Sequence, residues 1–316
     1  MEKTRWFGSI IAATMLMACI AQKNIGVTFT ESGKGAGIYS GLIDKTITTA
    51  PATLSSVNNA IATAITLLEF TVKENGSKDG YPLQIKELRF NNSGTADIAD
   101  LRFVLEGPGS NNTVGTASGN IVTFKDFGDI IITDGDTTGK TYQLKVHVRT
   151  NIQGSLEDGQ TVILKTSPLS DFDVAETSSN ILQAVSTFQQ SPSTAIAIVA
   201  TELQGKSSFQ FSTGNHNTDF SGTQSIYATD ANGRIDKDFT GAITLSAHVT
   251  VCPNAAPGTL SSTDGGTLVH NAVQGIASWL DLKYALNNIT VTENIRVRAQ
   301  SGGVTDLCSA ILTINP

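Results

Sequence analysis

The chain has 316 residues, of which 40% are hydrophobic and 16% charged, with a formal net charge of −7. This length is long for one ordinary sandwich and comfortable for two domains, and the apolar share excludes wholesale disorder. Lys and Arg are dispersed, so the acidic surface repels phosphate backbones and excludes nucleic acid as a partner.

The chain opens on a short charged start, Glu2-Lys3-Thr4-Arg5, followed by an apolar stretch from Trp6 to Ala18. That stretch is too short to span a bilayer comfortably and suits a signal h-region, so residues 1–18 are expected to be a signal peptide. It ends Leu16-Met17-Ala18-Cys19, which resembles the lipobox of bacterial lipoproteins. The resemblance implies cleavage before Cys19 and lipidation of that cysteine. The expected location is then the outer membrane, the cell surface or the extracellular space, with the membrane touched only through the lipid anchor.

Residues 19–46 read as an N-terminal arm. Ile25-Gly26-Val27-Thr28-Phe29-Thr30 alternates apolar and polar, a short strand pattern, before glycines 33, 35 and 37 loosen the chain. Residues 47–190 read as short strands at intervals of about ten residues, cut by Gly, Asn and Asp turns. Alanine and leucine in residues 58–68 compete for helix, but the β-branched positions there favour a strand after a loop. In residues 83–90 the alternation slips by one position at Lys86-Glu87, which predicts a β-bulge. Gly107-Pro108-Gly109 stops the strand that begins near Asp100. The cleanest alternation puts Tyr142, Leu144, Val146 and Val148 on one face, and Gln143, Lys145, His147 and Arg149 on the other. Ser191-Pro192-Ser193 punctuates the pattern and marks the expected boundary to a second domain over 191–316.

Two stretches resemble the repeat domains of surface adhesin and fibre proteins of Bacteroidetes-type bacteria. The first half carries Phe70-Thr71-Val72, a Gly/Asp turn, Gly80-Tyr81-Pro82-Leu83 and then Ile85 through Phe90. In the second half, Ser225 through Gly233 is followed by Asp238-Phe239-Thr240-Gly241 and later by Gly275-Ile276-Ala277-Ser278-Trp279-Leu280-Asp281-Leu282. This order is similar to bacterial immunoglobulin-like modules. The resemblance implies an all-β chain of two tandem immunoglobulin-like β-sandwich domains behind a strand-forming arm. It covers about two-thirds of the chain and bears more on fold than on function, since such modules serve as stalks, adhesin repeats and fibre subunits.

The chemistry-bearing residues are sparse. In an exported chain, Cys252 and Cys308 are expected to form a disulfide, which closes a long loop and is worth about 4 kcal/mol in the chain-entropy model. His147, His216, His248 and His270 are scattered, none at metal spacing from another His or Cys, and no Gly-x-Ser-x-Gly elbow sits between strand and helix. Catalysis is therefore not expected. Asp230, Asn232, Asp236 and Asp238 place oxygen ligands at alternating positions, as a Ca²⁺ loop does. Gly233 and Arg234 stand where that loop wants acid, so a polar hairpin turn is the preferred reading, with Ca²⁺ as the alternative and otherwise no cofactor. Trp279 shares strand phase with Ala277 and is expected in the core, not on a carbohydrate platform. Asn75, Asn91, Asn111 and Asn288 fit the Asn-x-Ser/Thr sequon, and Asp136-Thr137-Thr138 resembles a Bacteroidetes O-glycosylation motif.

These readings converge on a non-catalytic structural or adhesive surface protein. A sharper version makes it a fibre subunit that assembles by strand donation, with Ile25, Val27 and Phe29 as the inserted residues and copies of itself or other surface subunits as partners. The alternative is a surface-displayed module that binds carbohydrate or another ligand, with glycans or host cell surfaces as partners.

Overall fold

The computed structural model describes residues 53–72, 82–109, 112–125, 130–136, 138–166, 171–173, 190–205, 213–263 and 267–316, together with residues 209 and 211 and strand segments at 26–27, 29–31, 42–44, 174, 181–184 and 189. Cys19, Ile25, Asn75, Asn111 and Thr137 lie outside these residues. The chain is all-β. Two separate apolar cores, one gathered from Leu54 to Ile198 and one from Leu203 to Ile314, define two sandwiches in tandem. Among the described residues, no helix is long and apolar enough to cross a membrane.

In the first sandwich, one sheet runs in the order Gly26–Val27, Leu42–Asp44, Ile65–Val72, Lys140–Val148, Leu101–Glu106, Thr113–Val114. The facing sheet is organised by the long strand Leu83–Asn92. Ile121–Phe124 and Ile130–Ile132 pair along one side of it, and Leu164–Thr166 and Phe172–Val174 along the other. Phe172 pairs with Leu88 and Asp173 with Glu87, but Val174 pairs with Ile85, so Lys86 is skipped. The bulge falls at the phase shift seen in the sequence. It lets Ile85 and Leu88 both point inward although three positions apart. A second irregularity skips Leu67 opposite Leu144/Lys145, which buries Leu67 and Leu68 together.

The two sheets meet through an aromatic cluster. Phe70 lies 6.2 Å from Phe90 and 5.7 Å from Tyr142, ring centre to ring centre, and Phe90 meets Phe124 edge-on at 6.1 Å. Tyr142, Leu144, Val146 and Val148 are fully buried, as their alternation predicts. His147 is buried too, although the sequence pattern puts it on the solvent face. The 3-10 turn Ile61–Thr63 packs over this end of the strand, and Val148 N–H donates to the Asn58 carbonyl at 2.8 Å, so the outer face is covered there.

The arm adds strands to this domain. Leu42–Asp44 pairs antiparallel with residues 70–72, Gly26–Val27 pairs with Leu42–Asp44, and Phe29–Glu31 pairs with Ile181–Ala184. Strand Thr194–Ala197 pairs with Thr161–Val162 on one side and, in parallel, with Thr53–Ser55 on the other. It therefore belongs to the first sandwich. The chain passes between cores after Ile198, several residues beyond the Ser191-Pro192-Ser193 punctuation. Pro192 marks a corner within the first domain, where the Ser191 hydroxyl accepts the Leu164 N–H at 2.9 Å.

In the second sandwich one sheet is Glu202–Gly205, Gln224–Thr229, Ile276–Trp279. The other runs Gly214–Asn215, Leu312–Asn315, Glu293–Gln300, Ala242–His248, Val269–Asn271. Trp279 and Tyr284 are fully buried between them. Cys252 and Cys308 form a disulfide, with Cα atoms 6.9 Å apart, that ties the loop after Ala242–His248 to the strand Leu307–Cys308.

Candidate functional site at the domain junction

A polar network built from carboxylates lies where the two sandwiches meet. Asp97 caps the 3-10 turn Ile98–Asp100: one oxygen accepts the Ala99 N–H at 3.0 Å, the other the Ser155 N–H at 2.9 Å and the Ser155 hydroxyl at 3.2 Å. These donors, the Ser155 N–H foremost, hold its carboxyl below the ordinary range. Asp100, fully buried, gathers the next loop around itself. Its Oδ1 accepts the N–H groups of Gln153 at 2.5 Å and Gly154 at 2.9 Å, and its Oδ2 that of Leu156 at 3.1 Å.

Arg234 of the second sandwich reaches into this cradle. Its Nη2 lies 3.5 Å from Asp100 Oδ2, and its Nη1 3.2 Å from Asp230 Oδ2. All three side chains are at most 6% exposed. Asp230 also shapes the turn that presents the arginine: Oδ1 accepts the Asn232 and Arg234 N–H groups at 2.9 and 3.0 Å, and Gly233 at φ +79° closes the turn. Both carboxylates keep backbone donors, while the guanidinium bonds through Nη1 alone and leaves Nε and Nη2 buried without a hydrogen-bond partner, so its contact with Asp100 is one of charge.

The linker between the cores is held just as closely. Its four successive amides each have an acceptor. Ile198 N–H donates to Asp158 Oδ1 at 2.8 Å and Val199 N–H to the Ser56 hydroxyl at 2.9 Å. Ala200 N–H donates to Asp236 Oδ2 at 2.9 Å and Thr201 N–H to the Thr229 carbonyl at 2.8 Å. Asp158 is bidentate across the junction, since its second oxygen accepts the Lys237 N–H of the second sandwich at 3.1 Å. At the rim, Lys237 pairs with Glu157 at 2.8 Å. A cavity of about 280 Å³ bordered by Leu156, Glu157, Arg234 and Lys237 sits beside the contact.

This placement accounts for the residues considered for Ca²⁺. Asp230 serves Arg234 and its own turn, Asp236 holds the linker and accepts the Asp238 N–H at 3.0 Å, and Asn232 contributes a backbone donor. Among the described residues no three His, Cys, Asp or Glu side chains form a group that could hold a metal. The histidines serve separate places. His216 Nδ1 accepts the Leu286 N–H at 3.0 Å, and His248 Nε2 lies 2.8 Å from the Ser246 hydroxyl. His270 stacks on Trp279 at 4.8 Å. Val27 and Phe29 fall in the arm strands.

Sequence reasoning found the acidic turn but not its partner. Arg234 counted there against a calcium loop, whereas it is the residue that the turn exists to present. Asp97, Asp100 and Asp158 carry no local signal, because their importance comes from amides more than fifty residues away or across the junction.

No family model matches the chain, and no curated protein matches it. Among solved structures, a beta-glucuronidase of Parabacteroides merdae is 14% identical over 69% of this chain and 21% of its own, with a TM-score of 0.25. The chain thus spans about a fifth of the length of that enzyme. The major pilin subunit of Bacillus cereus is 11% identical over 90% of this chain and 70% of its own, with a TM-score of 0.22. A backbone pilin of Streptococcus pyogenes is 8% identical over 91% and 50%, with a TM-score of 0.20. At these scores the likenesses assign no activity and no family to the chain.

Proposed function

We propose that this chain is a non-catalytic structural and adhesive component of a bacterial cell surface, in which two sandwiches act as one rigid spacer. The observation that carries this reading is the junction: four consecutive linker amides are all bonded, and Arg234 is buried between carboxylates of both domains. Tandem domains joined by a free linker move independently by default. A linker with every donor occupied and a desolvated ion triad at its side transmits orientation, which is what a spacer or stalk does. The Cys252–Cys308 disulfide suits an oxidising compartment.

The polymeric form of this reading uses the arm. Residues 26–27 and 42–44 extend a sheet of their own domain, and the same pairing made with a neighbouring copy would link subunits, with Ile25, Val27 and Phe29 on the donated segment. Electron microscopy of the purified protein with and without residues 20–46 tests it. Filaments that vanish on deletion support donation, and filaments that persist, or monomers in both samples, overturn it. The surface assignment is tested separately by fractionation. Wild type is expected with the membranes and Cys19→Ala released from them, whereas an unprocessed product in the cytosol would contradict the whole reading.

A further inference from the structure

A second polar site lies at the far end of the second sandwich. Strand Gln224–Thr229 ends at the junction, where the Thr229 carbonyl holds the linker, and begins at a pocket roughly 17 Å away by the rise of an extended strand. This pocket is a cavity of about 170 Å³, the room a single pyranose ring occupies.

Two phenylalanines line it among polar neighbours. Phe211 and Phe220 pack edge-on with ring centres 5.1 Å apart, and Phe209 backs Phe211 at 4.9 Å. Gly214 lines the pocket beside them, and a Cβ at that position would come within 2.8 Å of the Phe220 ring. Gln224, 3% exposed, also lines it. Its Nε2 is committed to the Ser221 and Gly222 carbonyls at 3.1 and 3.2 Å, which fixes the amide, and its Oε1 is buried with no donor. Buried acceptors are almost always satisfied, and this one is among seven buried side-chain atoms without a partner in the described residues. The rim is polar: Asn215, Thr218 and Asp219 are exposed, and no described group hydrogen-bonds the Asp219 carboxylate.

We propose that this pocket binds one neutral pyranose of a glycan. A sugar ring has an apolar C–H face and a circle of hydroxyls. The electron-rich faces of phenylalanine rings accept the first. The second supplies donors to Asp219 and acceptors for the Asn215 amide, and Gln224 Oε1, buried in the pocket wall, is a further acceptor that binding would uncover. The Asp219 charge selects against uronic and sialic acids. The site lies at the opposite end of strand Gln224–Thr229 from the junction, where a rigid spacer would present it, but the pocket's chemistry does not depend on the spacer reading.

The test is NMR titration of the full chain with methyl glycosides of glucose, galactose, mannose and N-acetylglucosamine, with methyl glucuronide as the charged comparison. At least one neutral glycoside is expected to shift the amides of residues 213–224 with a dissociation constant in the millimolar range. Asp219→Asn, an exposed position that leaves the core intact, is expected to weaken it about tenfold. Phe211→Leu, judged folded by unchanged amides elsewhere, is expected to weaken it too. No shift from any neutral glycoside would overturn the proposal, as would equal binding of the glucuronide or unchanged affinity in both variants.

Discussion

Arg234 of the second sandwich and Asp100 of the first are fully desolvated against each other, with Nη2 3.5 Å from Oδ2, although 134 positions separate them in the chain. Asp100 is prepared for this contact by three backbone N–H donors from residues 153–156. The arginine therefore enters a cradle that the first domain builds by itself. Arg234→Ala leaves two buried carboxylates without their shared cation. We expect a loss of about 3 kcal/mol by urea unfolding, at the lower end for broken buried pairs because the backbone donors remain. An unchanged midpoint would show that the triad contributes nothing to coupling.

The pH dependence should show Asp97. Its carboxyl titrates lower in the folded chain than its ordinary 3.8, chiefly because the Ser155 N–H donates to it. A depressed folded value means stability that is complete above 3.8 and is lost as pH falls below it. In Asp97→Asn, which keeps the cap on Ile98–Asp100, the fall in urea midpoint below pH 4 should be shallower than in wild type. A parallel acid limb in both proteins would contradict this.

How much of this was legible in the sequence follows from range. The bulge at Lys86 could be read because a period-2 pattern records its own slip, and Tyr142 to Val148 could be read because alternation reports a buried face. The pairing of Cys252 with Cys308 followed from the compartment and from their being the two cysteines left in the body. His147 was misplaced because its cover comes from residues 58–63, which no local pattern announces. The domain boundary was set early because Pro192 makes a corner indistinguishable, in sequence, from a linker. The junction and the pocket at Gln224 were invisible for the same reason: each is an agreement among backbone amides and side chains from separate loops.

The disulfide should matter to one domain only. Cys252 and Cys308 are 56 positions apart, and both lie in the second sandwich. Replacing both with alanine should cost about 4 kcal/mol by the chain-entropy relation. Calorimetry should show the second-sandwich transition moving down while the cluster around Phe70 and Phe90 melts as before. A shift of equal size in both transitions would mean that the two cores unfold as one unit.

At alkaline pH two phenols should lag. Burial pushes Tyr142, which donates to the Pro108 carbonyl at 3.0 Å, up to about 12. Tyr284 is raised by burial and by its bond to Glu293 at 2.7 Å. A raised folded value gives stability that is present below the ordinary value of 10 and is lost as pH climbs through the folded one. Tyrosinate absorbance at 295 nm should therefore show two of the five tyrosines silent until about pH 12 or until the chain unfolds, and Tyr142→Phe should remove one late step. Full ionisation near pH 10 in the folded protein would contradict the burial.

The central claim is that the two sandwiches move as one body, and pulsed dipolar spectroscopy measures this directly. Spin labels at Ile121→Cys in the first sandwich and Ile289→Cys in the second, both exposed positions, report the distance between domains. The account predicts one narrow distribution that broadens when Arg234→Ala and Asp158→Ala are combined. A broad distribution in the parent protein, or one that those two changes leave untouched, would contradict it.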